Sequence, residues 1–223
     1  MAFGSGVLVA TLTFSILVEA FSVTHTIPAT ATGFILGGLS FSIANLILER
    51  KSKSKEKTTT TKHANSPENS SSIVEANPMS GRSLFVGSLM DNVPENAALG
   101  ITLATGGTIN IAFLVAILIA NLPTGLAATH AMTSSGQNAK HILALWSVAV
   151  IISTLATTIG YSILSYASPP IISISIAFAA GAILVMLAEH MIPEAFKQGG
   201  LIKGIALLAG FQIAVVLTAL QGH

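Results

Sequence analysis

Long apolar runs, interrupted at intervals by short polar turns, set the rhythm of this chain. A helix crossing about 30 Å of hydrocarbon needs roughly 20 mostly apolar residues. Seven segments meet that measure, at about 4–24, 29–48, 84–105, 109–132, 141–165, 171–195 and 202–220. None alternates with the two-residue period of a barrel strand, so the runs predict helices. The first segment has no basic stretch before it and carries Glu19 in its last turns, unlike a signal peptide.

Composition sharpens this into a class. Apolar residues make up 52% and charged residues only 9%, with a mean hydropathy of +0.76. A soluble domain carries about 25% charged residues, so this chain has too few to clothe a globule in polar surface. A soluble enzyme and a disordered chain are both excluded. The absence of Cys excludes disulfide scaffolds and thiolate metal sites. A net charge of +1 provides no basic field to attract nucleic acid. The expected fold is all-α: a polytopic membrane helix bundle of seven transmembrane helices, embedded in the lipid bilayer.

Most links are short, such as Gly106-Gly107 and Ser168-Pro169-Pro170. The stretch 49–82 differs. It is rich in Lys, Ser, Thr and Asn and poor in aromatic and branched apolar residues, a composition that predicts a disordered loop. It would separate a two-helix unit, 1–48, from a five-helix bundle, 83–223. Seven of the ten basic residues (Arg50, Lys51, Lys53, Lys55, Lys57, Lys62 and Arg82) lie in this loop, which places it in the cytoplasm. Counting spans onward puts Lys140, Lys197 and Lys203 on the same side and no Lys or Arg on the other. The N-terminus is then inside and the C-terminus outside.

Two stretches repeat. Residues 3–21 (FGSGVLVATLTFSILVEAF) align without gaps over 178–196 (FAAGAILVMLAEHMIPEAF), which pairs Glu19 with Glu194. Residues 84–100 align over 113–129, pairing Asn92-Val93-Pro94 with Asn121-Leu122-Pro123. In the topology above, the members of each pair run in opposite senses. Inverted repeats of this kind characterise secondary transporters, which expose one site alternately to each side.

Asp91 and Glu95 are one helical turn apart on one face, with Asn92 beside them and Pro94 between. At about 1.5 Å rise per residue, Glu95 lies roughly 16 Å deep and Asn121, on the next helix, roughly 18 Å deep. Carboxylates at mid-bilayer cost several kcal/mol unless they meet a cavity, a proton or a cation. Pro94 and Pro123 remove backbone donors and free the carbonyls of Met90 and Ile119. Broken helices with freed carbonyls and carboxylates would build a cation site from oxygen. Glu189, His190 and Glu194 form a second polar cluster near the cytoplasmic boundary. There the acids are either solvated helix ends or exit groups, and His190 is an exit ligand or a proton acceptor. His130 stands near the same boundary.

These residues resemble the ZIP family of divalent-metal transporters. The resemblance rests on Asp91-Asn92-Val93-Pro94-Glu95, on Asn121-Leu122-Pro123-Thr124-Gly125-Leu126-Ala127 and on Glu189-His190-Met191-Ile192-Pro193-Glu194-Ala195, together with the position of the 49–82 loop. It covers nearly the whole chain. It implies eight helices, both termini outside, and a binuclear metal site between the family's fourth and fifth helices. Asp91 stands where many members have a His of the first site. Asn92 and Glu95 match the second-site Asn and a bridging acid, and Asn121 matches a variable polar ligand. Thr124 occupies the position of a second bridging Glu, and Ala120 that of a His or Gln, so the resemblance implies a site reduced toward one ion. The first segment is similar to the family's second helix, so the family's first helix is missing from the expected set: either Met1 is a late start or this is a seven-helix variant.

The expected function is therefore transport of a divalent cation (zinc, iron or manganese) into the cytoplasm, with the metal as substrate and no cofactor. The expected ligands are Asp91, Asn92, Glu95 and Asn121, with Glu189 and His190 along the exit. No covalent chemistry is required, so the protein is not expected to be an enzyme. It is expected in the plasma membrane. Gly33, Gly37 and Gly38 would let a helix pack closely enough to form a homodimer through that face. The alternatives are a degenerate member that binds metal as a sensor or assembly partner, and an intramembrane hydrolase using Glu189 and His190, for which no third ligand is evident.

Overall fold

The computed structural model describes residues 1–60, 78–106, 111–197 and 200–220. Among them, every regular element is helical. Helix α1 spans Ala2–Thr24 and contains a π-helical turn at Leu12–Ile16. It is followed by α2 at Ile27–Thr60, α3 at Pro78–Gly106, α4 at Ile111–Ser134 and α5 at Ala139–Leu164. Helix α6 spans Pro169–Phe196 with a second π turn at Leu187–Met191, and α7 spans Leu201–Leu220.

Local chemistry accounts for the ends. His25 takes a left-handed conformation (φ 50°) and stops α1. The Asn138 side chain accepts a hydrogen bond from the Lys140 amide at 3.1 Å and caps α5. Pro169 opens α6, where its missing N–H leaves no intrahelical partner wanting.

Among the described residues, six stretches are long and apolar enough to cross a membrane: α1, Ile27–Ile47 of α2, Phe113–Ser134 of α4, α5, α6 and α7. The chain is a multi-pass membrane protein. Helix α3 has the length but not the apolar character, because Ser88, Asp91, Asn92, Glu95 and Asn96 interrupt it. The expected loop is also narrower than its composition suggested. Helix α2 continues to Thr60 and α3 begins at Pro78, while 61–77 lie outside the described residues. Once a helix is nucleated, each added residue needs only to extend it, so Lys- and Glu-containing sequence prolongs α2.

Packing draws a different boundary from the one expected at the loop. Helix α2 packs chiefly on α6, and α1 on α7 and α6. Helix α3 packs on α4 and α5. The two N-terminal helices thus join α6 and α7 in one group, and α3, α4 and α5 form another. The groups meet where α1 touches α4 and α3 touches α6. Helices α1 and α6 carry much of the buried core, including Leu8, Ile16, Ile176, Ile183 and Met186.

The glycines of the expected dimer face meet a neighbour within the chain. A Cβ on Gly33 or Gly37 would overlap the carbonyl oxygens of Ile174 or Phe178, so these glycines bring α2 against α6 of the same chain. Gly38 faces α6 too, near Val185. In lipid, helix association rests on close van der Waals packing, and small residues serve whichever neighbour is available.

Candidate functional site

Helix α3 turns Asp91 and Glu95 inward. Glu95 is 0% exposed and Asp91 6%, while Asn92 is half-buried beside them. From α4, the Asn121 amide donates a hydrogen bond to Glu95 Oε2. Glu95 Oε1 is buried and has no hydrogen-bond partner. One turn away, Asp91 Oδ1 lies 3.1 Å from His190 Nδ1 of α6. Asp91, Glu95, Asn121 and His190 therefore meet across three helices, where α3 contacts both α4 and α6.

Neither proline breaks its helix, contrary to the expectation of broken spans: Pro94 and Pro123 both sit inside continuous helices. Amide side chains add local support around Pro94. Asn92 Nδ2 donates to the Ser88 carbonyl at 2.7 Å, and Asn96 Nδ2 to the Asn92 carbonyl at 2.7 Å. Prolines are tolerated in membrane helices where polar side chains and neighbouring helices satisfy nearby backbone groups.

Two openings reach the site. A cavity of about 320 Å³ is lined by Ser88, Asp91, Thr124, Glu189, His190 and Glu194. A groove of about 710 Å³ between α3, α4 and α5 is lined by Ser88, Asn92, Asn121 and the α5 hydroxyls of Ser153 and Thr157. Ser88 borders both. Glu95 lines neither and is fully buried.

The second cluster divides. Glu189 accepts from Ser42 Oγ at 2.7 Å and from Asn45 Nδ2 at 2.9 Å, both on α2. Its neighbour His190 turns to Asp91 and packs edge-on against Phe41, with ring centroids 5.7 Å apart. Glu194 pairs with Lys197 at the helix end, an exposed pair of little energetic weight. His130 is exposed and borders neither opening.

Ser42 and Asn45 were not anticipated. The available signal was a Ser and an Asn three residues apart near the end of an otherwise apolar run, which places them on one helix face. Among the described residues, no three His, Cys, Asp or Glu side chains gather closely enough to hold a metal ion. A cation at this site would therefore draw on amide and hydroxyl oxygen as well as carboxylate, a donor set suited to hard or borderline divalent ions.

The chain matches no protein-family model and no curated protein.

Proposed function

We propose that this protein is a ZIP-like carrier that moves a divalent metal cation (zinc, iron or manganese) across the plasma membrane into the cytoplasm. The observation that carries this reading is Glu95. It is a fully buried carboxylate with one oxygen held by Asn121 and the other without a hydrogen-bond partner. A buried carboxyl oxygen left without a partner is costly in hydrocarbon unless a proton or a cation meets it. Glu95 and Asp91 bind the ion, Asn92 and Asn121 supply amide oxygen, and the cavity beside His190 is the cytoplasmic exit. The reaction is translocation, with no bond made or broken.

In this reading α3 is the seventh span, its acids sheltered by α4 and α6 rather than exposed to lipid. The repeat supports an alternating mechanism. The π turns at Leu12–Ile16 and Leu187–Met191 fall at the same register of the 3–21 and 178–196 alignment. The close helix crossings also correspond. Gly6 lies against the Leu207 carbonyl and Gly210 against that of Phe3, just as Gly181 lies against the Phe34 carbonyl and Gly37 against that of Phe178. Two related halves packed by one rule can tilt by one rule.

The test is uptake of radioactive zinc, iron or manganese into proteoliposomes holding the full chain. Glu95→Ala is expected to reduce uptake to background, and Glu95→Gln, which keeps the shape, nearly as far. Uptake that survives both changes removes Glu95 from the path and the reading with it. One observation favours a second reading, a family member that binds metal without moving it: Thr124, where the resemblance has an acid, faces the cavity and leaves α4 without a carboxylate. Binding by calorimetry without flux in the same preparation would select it.

A further inference from the structure

We infer that Ser42 and Asn45 are positioning residues that anchor the π turn of α6, and that this turn latches the two helix groups together at the exit of the path proposed above. The inference rests on that proposed path for its meaning, but not for its test. Three observations converge on the turn. The backbone there is weakly tied: a π turn inserts an extra residue into the helical ladder, and Pro193 supplies no N–H to the Glu189 carbonyl one turn earlier. Side chains hold it instead. Both Glu189 oxygens are taken by Ser42 and Asn45 of α2, and α2 is the helix most closely packed on α6. The next residue, His190, rests edge-on against Phe41 of α2 and reaches Asp91 of α3, in the other group, with its Nδ1.

Glu189 is thus bonded within its own group and His190 across the boundary. When the groups separate, the His190–Asp91 contact breaks while the Glu189 contacts persist. Ser42 and Asn45 keep the turn wound so that the contact can re-form. A divalent cation on Asp91 would compete with His190 for the same carboxylate, which ties release of the latch to arrival of the ion.

The chain contains no Cys, so a single reporter can be introduced. Thr124 shares the cavity with Asp91 and His190, and Thr124→Cys in the full chain is labelled with a membrane-impermeant maleimide, without metal. Against that background, His190→Ala and the pair Ser42→Ala with Asn45→Ala are each expected to speed labelling several-fold. All three changes together should speed it no further than His190→Ala alone, because both routes undo one contact. Ser42→Thr, which keeps a hydroxyl, should restore the slow rate when combined with native Asn45. Unchanged labelling in the Ser42/Asn45 variant overturns the inference, as do effects that multiply with His190→Ala. If the double change prevents recovery of monodisperse protein, Ser42→Ala alone carries the same comparison with a smaller step. Coupled labelling without any cation flux would reject the transport reading and keep the latch; flux with uncoupled labelling would do the reverse.

Discussion

Helices α3 and α4 share a frame and differ in chemistry. Aligned as a repeat, Asn92 pairs with Asn121 and Pro94 with Pro123, but Asp91 pairs with Ala120 and Glu95 with Thr124. The two asparagines also do different work. Asn92 bonds back to its own helix at Ser88, whereas Asn121 reaches across to Glu95. Ala120 is fully buried and lets α1 approach at Gly4, while Asp91 keeps contact with His190 and the cavity. An Asn-x-Pro frame evidently sets where a helix can present a side chain at depth, and the neighbouring positions decide whether a charge stands there. One helix of the pair supplies acids; the other supplies a donor and close packing.

That comparison can be broken most severely by giving α3 the residues of α4. The double change Asp91→Ala with Glu95→Thr should lower divalent-cation affinity by well over tenfold, more than about 1.4 kcal/mol, as measured by calorimetry. Thermal stability should change little, since the cost of burying two acids is removed while Asn121 and His190 each lose a partner. Retained binding would place the site elsewhere. The converse, Thr124→Glu, puts an acid on α4 facing the cavity and should tighten binding by about tenfold, roughly 1.4 kcal/mol. No gain would mean that Thr124 faces the cavity without sharing the ion. The smallest effects separate the asparagines. Asn121→Leu strands a second oxygen of a buried carboxylate and should destabilise by about 1–3 kcal/mol, whereas Asn92→Leu loses one local bond worth about 0.5–1.5 kcal/mol. Thermal unfolding in detergent checks the order; equal losses would erase the distinction between cross-helix and local bonding.

Much of this molecule is legible in one dimension. Transfer of apolar residues into lipid depends on composition within a window of some 20 residues, so the six apolar spans follow from the runs themselves. Two acids one turn apart must share a helix face whatever surrounds them, and so Asp91 and Glu95 stand out in any reading. The two π turns fall at matching positions of the aligned stretches that begin FGSG and FAAG. Partner choice is another matter. Lipid gives one apolar face no preference over another, so association is settled by fit, close backbone approach and interhelical hydrogen bonds. Gly33 and Gly37 announce a close crossing without saying with what, and only the folded chain shows α6 there. Asn121 on Glu95, His190 on Asp91, and Ser42 with Asn45 on Glu189 join residues 26, 99, 147 and 144 positions apart. Separations of that size carry no local periodicity, and three-dimensional packing alone brings those side chains within bonding distance.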